Sequence, residues 1–172
     1  EKEIVPAMVK EFGIANRMAV PAISKITLNV GIGKIAGTDN KIIEQATNNI
    51  SKITGQRPVI TKSKKSIAGF KLREGLPVGA SITLRGPRMY EFLDRFINVS
   101  LPRVRDFRGL DVKGFDRQGN YSVGIKEHTV FPEITAESSD ILHGLQVNIS
   151  VKNADKVKGL VLLKHFGFPF KT

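Results

Sequence analysis

The sequence predicts an α+β fold: a single domain over residues 1–172, with one antiparallel sheet, helices on one face and an open polar face opposite. Two periodicities point to it. Four segments carry apolar residues three and four apart, as helices do, and others alternate strictly between apolar and polar side chains, as half-buried strands do. A chain of 172 residues with 41% hydrophobic content suits one domain and can bury a core.

Ile4, Val5, Met8, Val9 and Phe12 mark the first helix, with Gly13 as its stop. From Ala22 to Gly33 the period changes to two: Ile26, Leu28, Val30 and Ile32 point one way, Lys25, Thr27, Asn29 and Gly31 the other. A second helix starts after Thr38 and Asp39, either of which can cap it, carries Ile42, Ile43, Ala46, Ile50 and Ile53, and ends at Gly55. Residues 59–72 and 78–85 are extended, and the turn chemistry of Gly75-Leu76-Pro77 makes them a projecting hairpin with its tip there. A third helix fits 87–101 through Met89, Phe92, Leu93, Phe96 and Ile97, and 102–120 reads as a long ordered loop. Strands follow at 121–126 and 145–151, then a last helix at about 155–166 with Val157, Leu160, Val161 and Phe166. Ser81, Thr83 and Arg85 alternate with Ile82 and Leu84 just as Lys25, Thr27 and Asn29 alternate with their apolar neighbours. A sheet of such strands covers one face with helices and leaves hydroxyl, amide and cationic groups free on the other. Those groups suit phosphate, ribose and base-edge contacts.

Charge narrows the function. Lys plus Arg is 27 against 16 acidic residues, a net +11, and residues 1–126 carry the whole excess. Residues 45–73 hold Lys52, Arg57, Lys62, Lys64, Lys65, Lys71 and Arg73 with no acidic residue. Such a run repels itself unless a polyanion neutralises it, the alternative being a merely solvated basic hairpin. Arg85, Arg88, Arg95, Arg103, Arg105 and Arg108 form a second cluster, whose planar forks favour structured RNA. Glu91, Asp94, Asp106 and Asp111 are interleaved with it, so some of these arginines are expected to be paired internally.

Catalytic and cofactor classes find little support. There is no cysteine, and no apolar run reaches membrane-helix length. Gly31-Ile-Gly33-Lys-Ile-Ala36 fits a dinucleotide pattern only superficially, because no acidic residue stands near position 53. His128, His143 and His165 lack ligand spacing and read as core or surface residues, so no metal, no cofactor and no catalytic residue is expected. An RNA- or nucleotide-processing enzyme and a general basic adaptor are the competing classes.

The motifs carry a family resemblance. Lys25-Ile-Thr-Leu-Asn29-Val-Gly-Ile-Gly33, Ile53-Thr-Gly-Gln56-Arg-Pro58, Ile60-Thr-Lys62-Ser-Lys-Lys-Ser-Ile-Ala-Gly-Phe70 and Ile82-Thr-Leu-Arg-Gly86 are among them, as are Leu101-Pro-Arg-Val-Arg-Asp-Phe-Arg-Gly109 and Phe166-Gly-Phe-Pro-Phe170. With them the chain closely resembles, almost end to end, the bacterial-type L-five family of large-subunit ribosomal proteins, the binders of 5S ribosomal RNA. The resemblance implies that Lys25, Asn29, Gln56, Thr83 and Arg85 contact that RNA and that Arg57, Lys62, Lys64 and Lys65 reach phosphate around it. It further implies that the tip, with Lys71, Arg73, Gly75, Leu76 and Pro77, meets tRNA in the peptidyl site. The expected partners are 5S and large-subunit ribosomal RNA, that tRNA, and neighbouring ribosomal proteins including one of the small-subunit head; no membrane is expected. The expected place is the ribosome of the bacterial cytoplasm or of a bacterial-type organelle. His143 stands where the family pattern has arginine.

Overall fold

Alternation along the strands becomes a sheet with two unlike faces. The computed structural model describes residues 3–33, 40–70, 72–134 and 142–171. Strands β1 (Ala22–Gly31), β2 (Val59–Lys62), β3 (Pro77–Leu84), β4 (Tyr121–Ile125) and β5 (Leu145–Lys152) lie in the order β2-β3-β1-β5-β4. Every neighbouring pair is antiparallel. On one face Ile26, Leu28 and Val30 of β1 meet Ala80, Ile82 and Leu84 of β3, Val147 and Ile149 of β5 and Tyr121 of β4, all buried.

The helices cover that face. α1 (Ile4–Phe12) ends at Gly13 as the spacing predicts. α2 (Asn40–Thr54) buries Ile43, Ala46, Ile50 and Ile53; the proposed caps Thr38 and Asp39 lie outside the described residues. α3 (Pro87–Arg95) buries Met89, Phe92 and Leu93, and its continuation Phe96–Ser100 widens so that the Leu101 amide donates to the Phe96 carbonyl five residues back. Phe92, Phe96 and Phe131 stack with ring centres 5.8–6.3 Å apart and close the core at this end. The segment 102–120 is the ordered loop that the sequence predicts; Leu110 holds it to the C-terminal end through Leu110 N–H to Pro169 and Lys171 N–H to Leu110.

Two expectations change. The hairpin apex is not at Gly75-Leu76-Pro77. Strand pairing ends at Lys62 opposite Pro77, but the Ser63 amide still donates to Leu76 and the Gly75 amide to Ser63, so these residues form the loop's base. The apex is Ala68–Phe70, closed by reciprocal bonds between Ile67 and Leu72. Turn-forming residues here make a kink in the returning arm, not the turn itself. The second change concerns α4 (Lys156–His165): Val157 is 63% exposed, and Gly159, Leu162 and Leu163 form the buried side. Gly159 sets that rotation, since a Cβ there would stand 2.5 Å from the Gly119 carbonyl oxygen. Gly159→Ala is therefore expected to destabilise the fold by about 1–3 kcal/mol through overpacking, read as a lower urea midpoint.

Candidate nucleic-acid interface

The register turns the opposite face into rows. Asn29 lies between Ser81 of β3 and Gln146 of β5, and Thr27 between Thr83 and Asn148. Lys25 lies beside Ser150, just after a bulge at Ile23. Asn29 and Thr83, expected on one side of the sheet, are on one side. Thr83 is exposed and Asn29 half-buried. Arg85 follows Leu84 at the end of β3, exposed.

Gln56 and Arg57 arrive by another route. α2 stops at Gly55, whose φ of +66° lets the chain turn back sharply, and its amide donates to Ser51. Thr54 Oγ1 lies within hydrogen-bond reach of both the amide and the carbonyl of Gln56, pinning that turn. β2 then runs antiparallel to β3 with Val59 opposite Ser81, so Arg57 and Gln56 lie toward the Thr83–Arg85 end. Lys62, Lys64 and Lys65 continue along the free edge of β2 and its loop, all exposed. Among the described residues none of Lys25, Arg57, Lys62, Lys64, Lys65 and Arg85 has an acidic partner. A field of unpaired cations beside uncharged hydrogen-bonding groups is what a folded polyanion requires. Edge lysines also keep β2 from recruiting strands of other chains.

The loop residues separate. Arg73 and Gly75 are exposed, Leu76 and Pro77 half-buried at the base, and Lys71 lies outside the described residues. Phe70, which periodicity did not single out, is 65% exposed at the apex. The arginine cluster is also less self-satisfied than its interleaved acids suggested. Arg95 alone among the described arginines is ion-paired, and its partner is Glu133, 2.9 Å away, with a second bond of 2.9 Å to the Ile53 carbonyl. Asp94 and Asp111 are occupied otherwise, by Asn98 and by the Lys113 amide.

Two of the histidines are not isolated. His128 and His143 are buried and stack with ring centres 3.9 Å apart and planes 4° from parallel. His128 Nε2 lies 3.3 Å from Asn49 Nδ2, and its Nδ1 3.3 Å from the His143 carbonyl. Nδ1 also lies 3.4 Å from the His143 amide, so it either donates to the His143 carbonyl, which leaves Nε2 to accept from Asn49, or accepts from that amide. Burial pushes His143 down to about 4, helped by repulsion from His128, and burial lowers His128 too. His165 is a surface residue 3.4 Å from Glu11. No group of three or more potential metal ligands exists among the described residues, and no described helix is long and apolar enough to cross a membrane.

Comparison with known proteins agrees with this architecture. Residues 16–73 match the family model "Ribosomal protein L5", and residues 77–170 match the model of the same ribosomal family's C-terminus. The large ribosomal subunit protein uL5 of Francisella tularensis subsp. novicida is 54% identical over 172 residues, covering 100% of this chain and 96% of its own. That of Ralstonia pickettii is 52% identical, covering 100% and 95%. The fold and these matches define a structural, non-catalytic protein of the large ribosomal subunit, at work among ribosomal RNA and other ribosomal proteins in the cytoplasm. Within that class the chain belongs to the uL5 family.

Proposed function

We propose that the chain anchors 5S ribosomal RNA in the large subunit through the open face of its sheet. Lys25, Asn29, Gln56, Thr83 and Arg85 make the selective contacts, and Arg57, Lys62, Lys64 and Lys65 hold phosphate around them. The observation that carries this reading is the register, which lines up Asn29 with Ser81 and Thr27 with Thr83, beside cations that have no acidic partner among the described residues. Uncharged groups read shape and base edges, while cations supply affinity.

The same reading gives the loop between Lys62 and Pro77 to tRNA in the peptidyl site, and gives the protein a protein–protein contact with the small-subunit head. The family resemblance supports both, and the exposure of Phe70, Arg73 and Gly75 in that loop suits the first.

The test is a titration of purified protein with 5S RNA and with a scrambled RNA of equal length. Asn29→Ala and Arg85→Ala are each expected to weaken 5S binding by about 1–3 kcal/mol, the scale of a good polar recognition contact. Equal affinity of the wild type for both RNAs, or wild-type 5S affinity in both variants, refutes the assignment.

A further inference from the structure

We infer that the RNA-contacting face does not stop at β1 but continues across β5 and β4, with Gln146, Asn148 and Ser122 as further RNA-recognition residues; this rests on the function proposed above. Asn29 is directly paired with Gln146, and Thr27 with Asn148, which in turn is paired with Ser122. Neighbouring strands are about 4.8 Å apart, so the run from β3 to β4 is roughly 14 Å wide. A folded RNA lying on Thr83 and Asn29 is broader than that and must pass over β5.

The groups it would meet there are free to respond. The amides of Asn49, Asn98, Asn120 and Asn153 are all committed within the protein, to His128, Asp94, Asp116 and the Met18 carbonyl. Gln146 and the half-buried Asn148 have no such partner among the described residues. Both amides reach solvent and are not held by a protein group, so a ligand can take up their hydrogen bonds without breaking any within the fold. Each amide offers both donors and an acceptor, which matches base edges and ribose 2′-hydroxyls. Gly124, opposite Gln146, has open space where a Cβ would stand, so a ligand can come down to the backbone. Between Ser122 and Ser150 the middle of this half carries no charge, and its cations, Lys152 at the end of β5 and Lys126 just past β4, stand at its margins, in contrast to the lysine-lined β2 edge. The division of labour is therefore spatial. One edge attracts any RNA, and the amide rows discriminate.

Two measurements test this. In the first, the Gln146→Ala, Asn148→Ala double variant is titrated with 5S RNA and with scrambled RNA at several salt concentrations. About a tenfold or greater loss of 5S affinity is expected, with an unchanged salt slope and unchanged binding of scrambled RNA. In the second, Ser122→Cys places a single thiol in a chain that has no cysteine. Saturating 5S RNA should protect that thiol from alkylation, while the thiol of a separate Lys164→Cys variant, on α4, stays reactive. Wild-type affinity in the double variant, or full reactivity at position 122 in the complex, overturns the inference. If instead the wild-type protein fails to prefer 5S over scrambled RNA, the underlying function is what fails.

Discussion

Acidifying the protein from pH 7 to pH 4.5 should remove most of roughly 3 kcal/mol of folding stability through His143 alone. In the unfolded chain this imidazole takes up its proton near the ordinary value of 6.5; in the fold, burial first and the neighbouring His128 second delay protonation to about 4. Between those limits the unfolded state binds more protons, so stability falls as pH falls. The contribution is complete above 6.5 and gone at about 4. His128 acts in the same direction, because a proton on its Nε2 would face the Asn49 amide hydrogens until that amide turned over. The window above pH 4.5 isolates the imidazoles from the carboxylates with lowered values. Asp116, which burial alone would raise, is held down by hydrogen bonds from Asn120 and Gln118, and its effect is lost only below the usual carboxylate range. Urea midpoints at pH 7 and 4.5 measure the fall. His143→Phe keeps a flat ring over His128 without a titrating group and should flatten the dependence; an equal fall in that variant would reject the explanation.

The largest effect on binding should come from the quadruple variant R57Q/K62Q/K64Q/K65Q. Each phosphate contact removed lowers the salt slope by roughly 0.7 for single-stranded and 0.9 for duplex nucleic acid. Four contacts change it by about 3. Between 50 and 200 mM salt the wild type should then lose roughly 50- to 150-fold more affinity for 5S RNA than the variant. All four side chains are exposed and have no acidic partner among the described residues, so the fold should persist. Parallel salt plots for the two proteins would show that these cations do not touch phosphate.

How far the sequence carries can be judged from particular residues. The faces of β1 and β3 were legible because a two-residue period maps directly onto sidedness: Ile26, Leu28, Ile82 and Leu84 go in, Thr27, Asn29, Ser81 and Thr83 go out. Register was not legible, since nothing local tells Asn29 that its neighbour is Gln146, 117 positions on. The sequence therefore places a strand at 145–151 without placing Gln146 and Asn148 beside Asn29 and Thr27. Turn chemistry misplaced the hairpin apex, because Gly75 serves a kink and the true apex is built by pairing Ile67 with Leu72. Helical spacing put Val157 inward, whereas Gly159 and its close approach to Gly119 rotate α4 the other way. The stacked histidines and the Arg95–Glu133 pair are tertiary, between segments with no common period.

The strand order has a consequence for how this surface comes into being. β1, the first of the five in the chain, sits between β3 and β5, and β5 is translated last of the five. A growing chain halted before Leu145 would hold β1 with one flank unsatisfied and the row through Thr27 cut off at the middle. The row through Thr27 is thus completed only once β5 has been made, so under the proposed function RNA recognition follows the synthesis of β5.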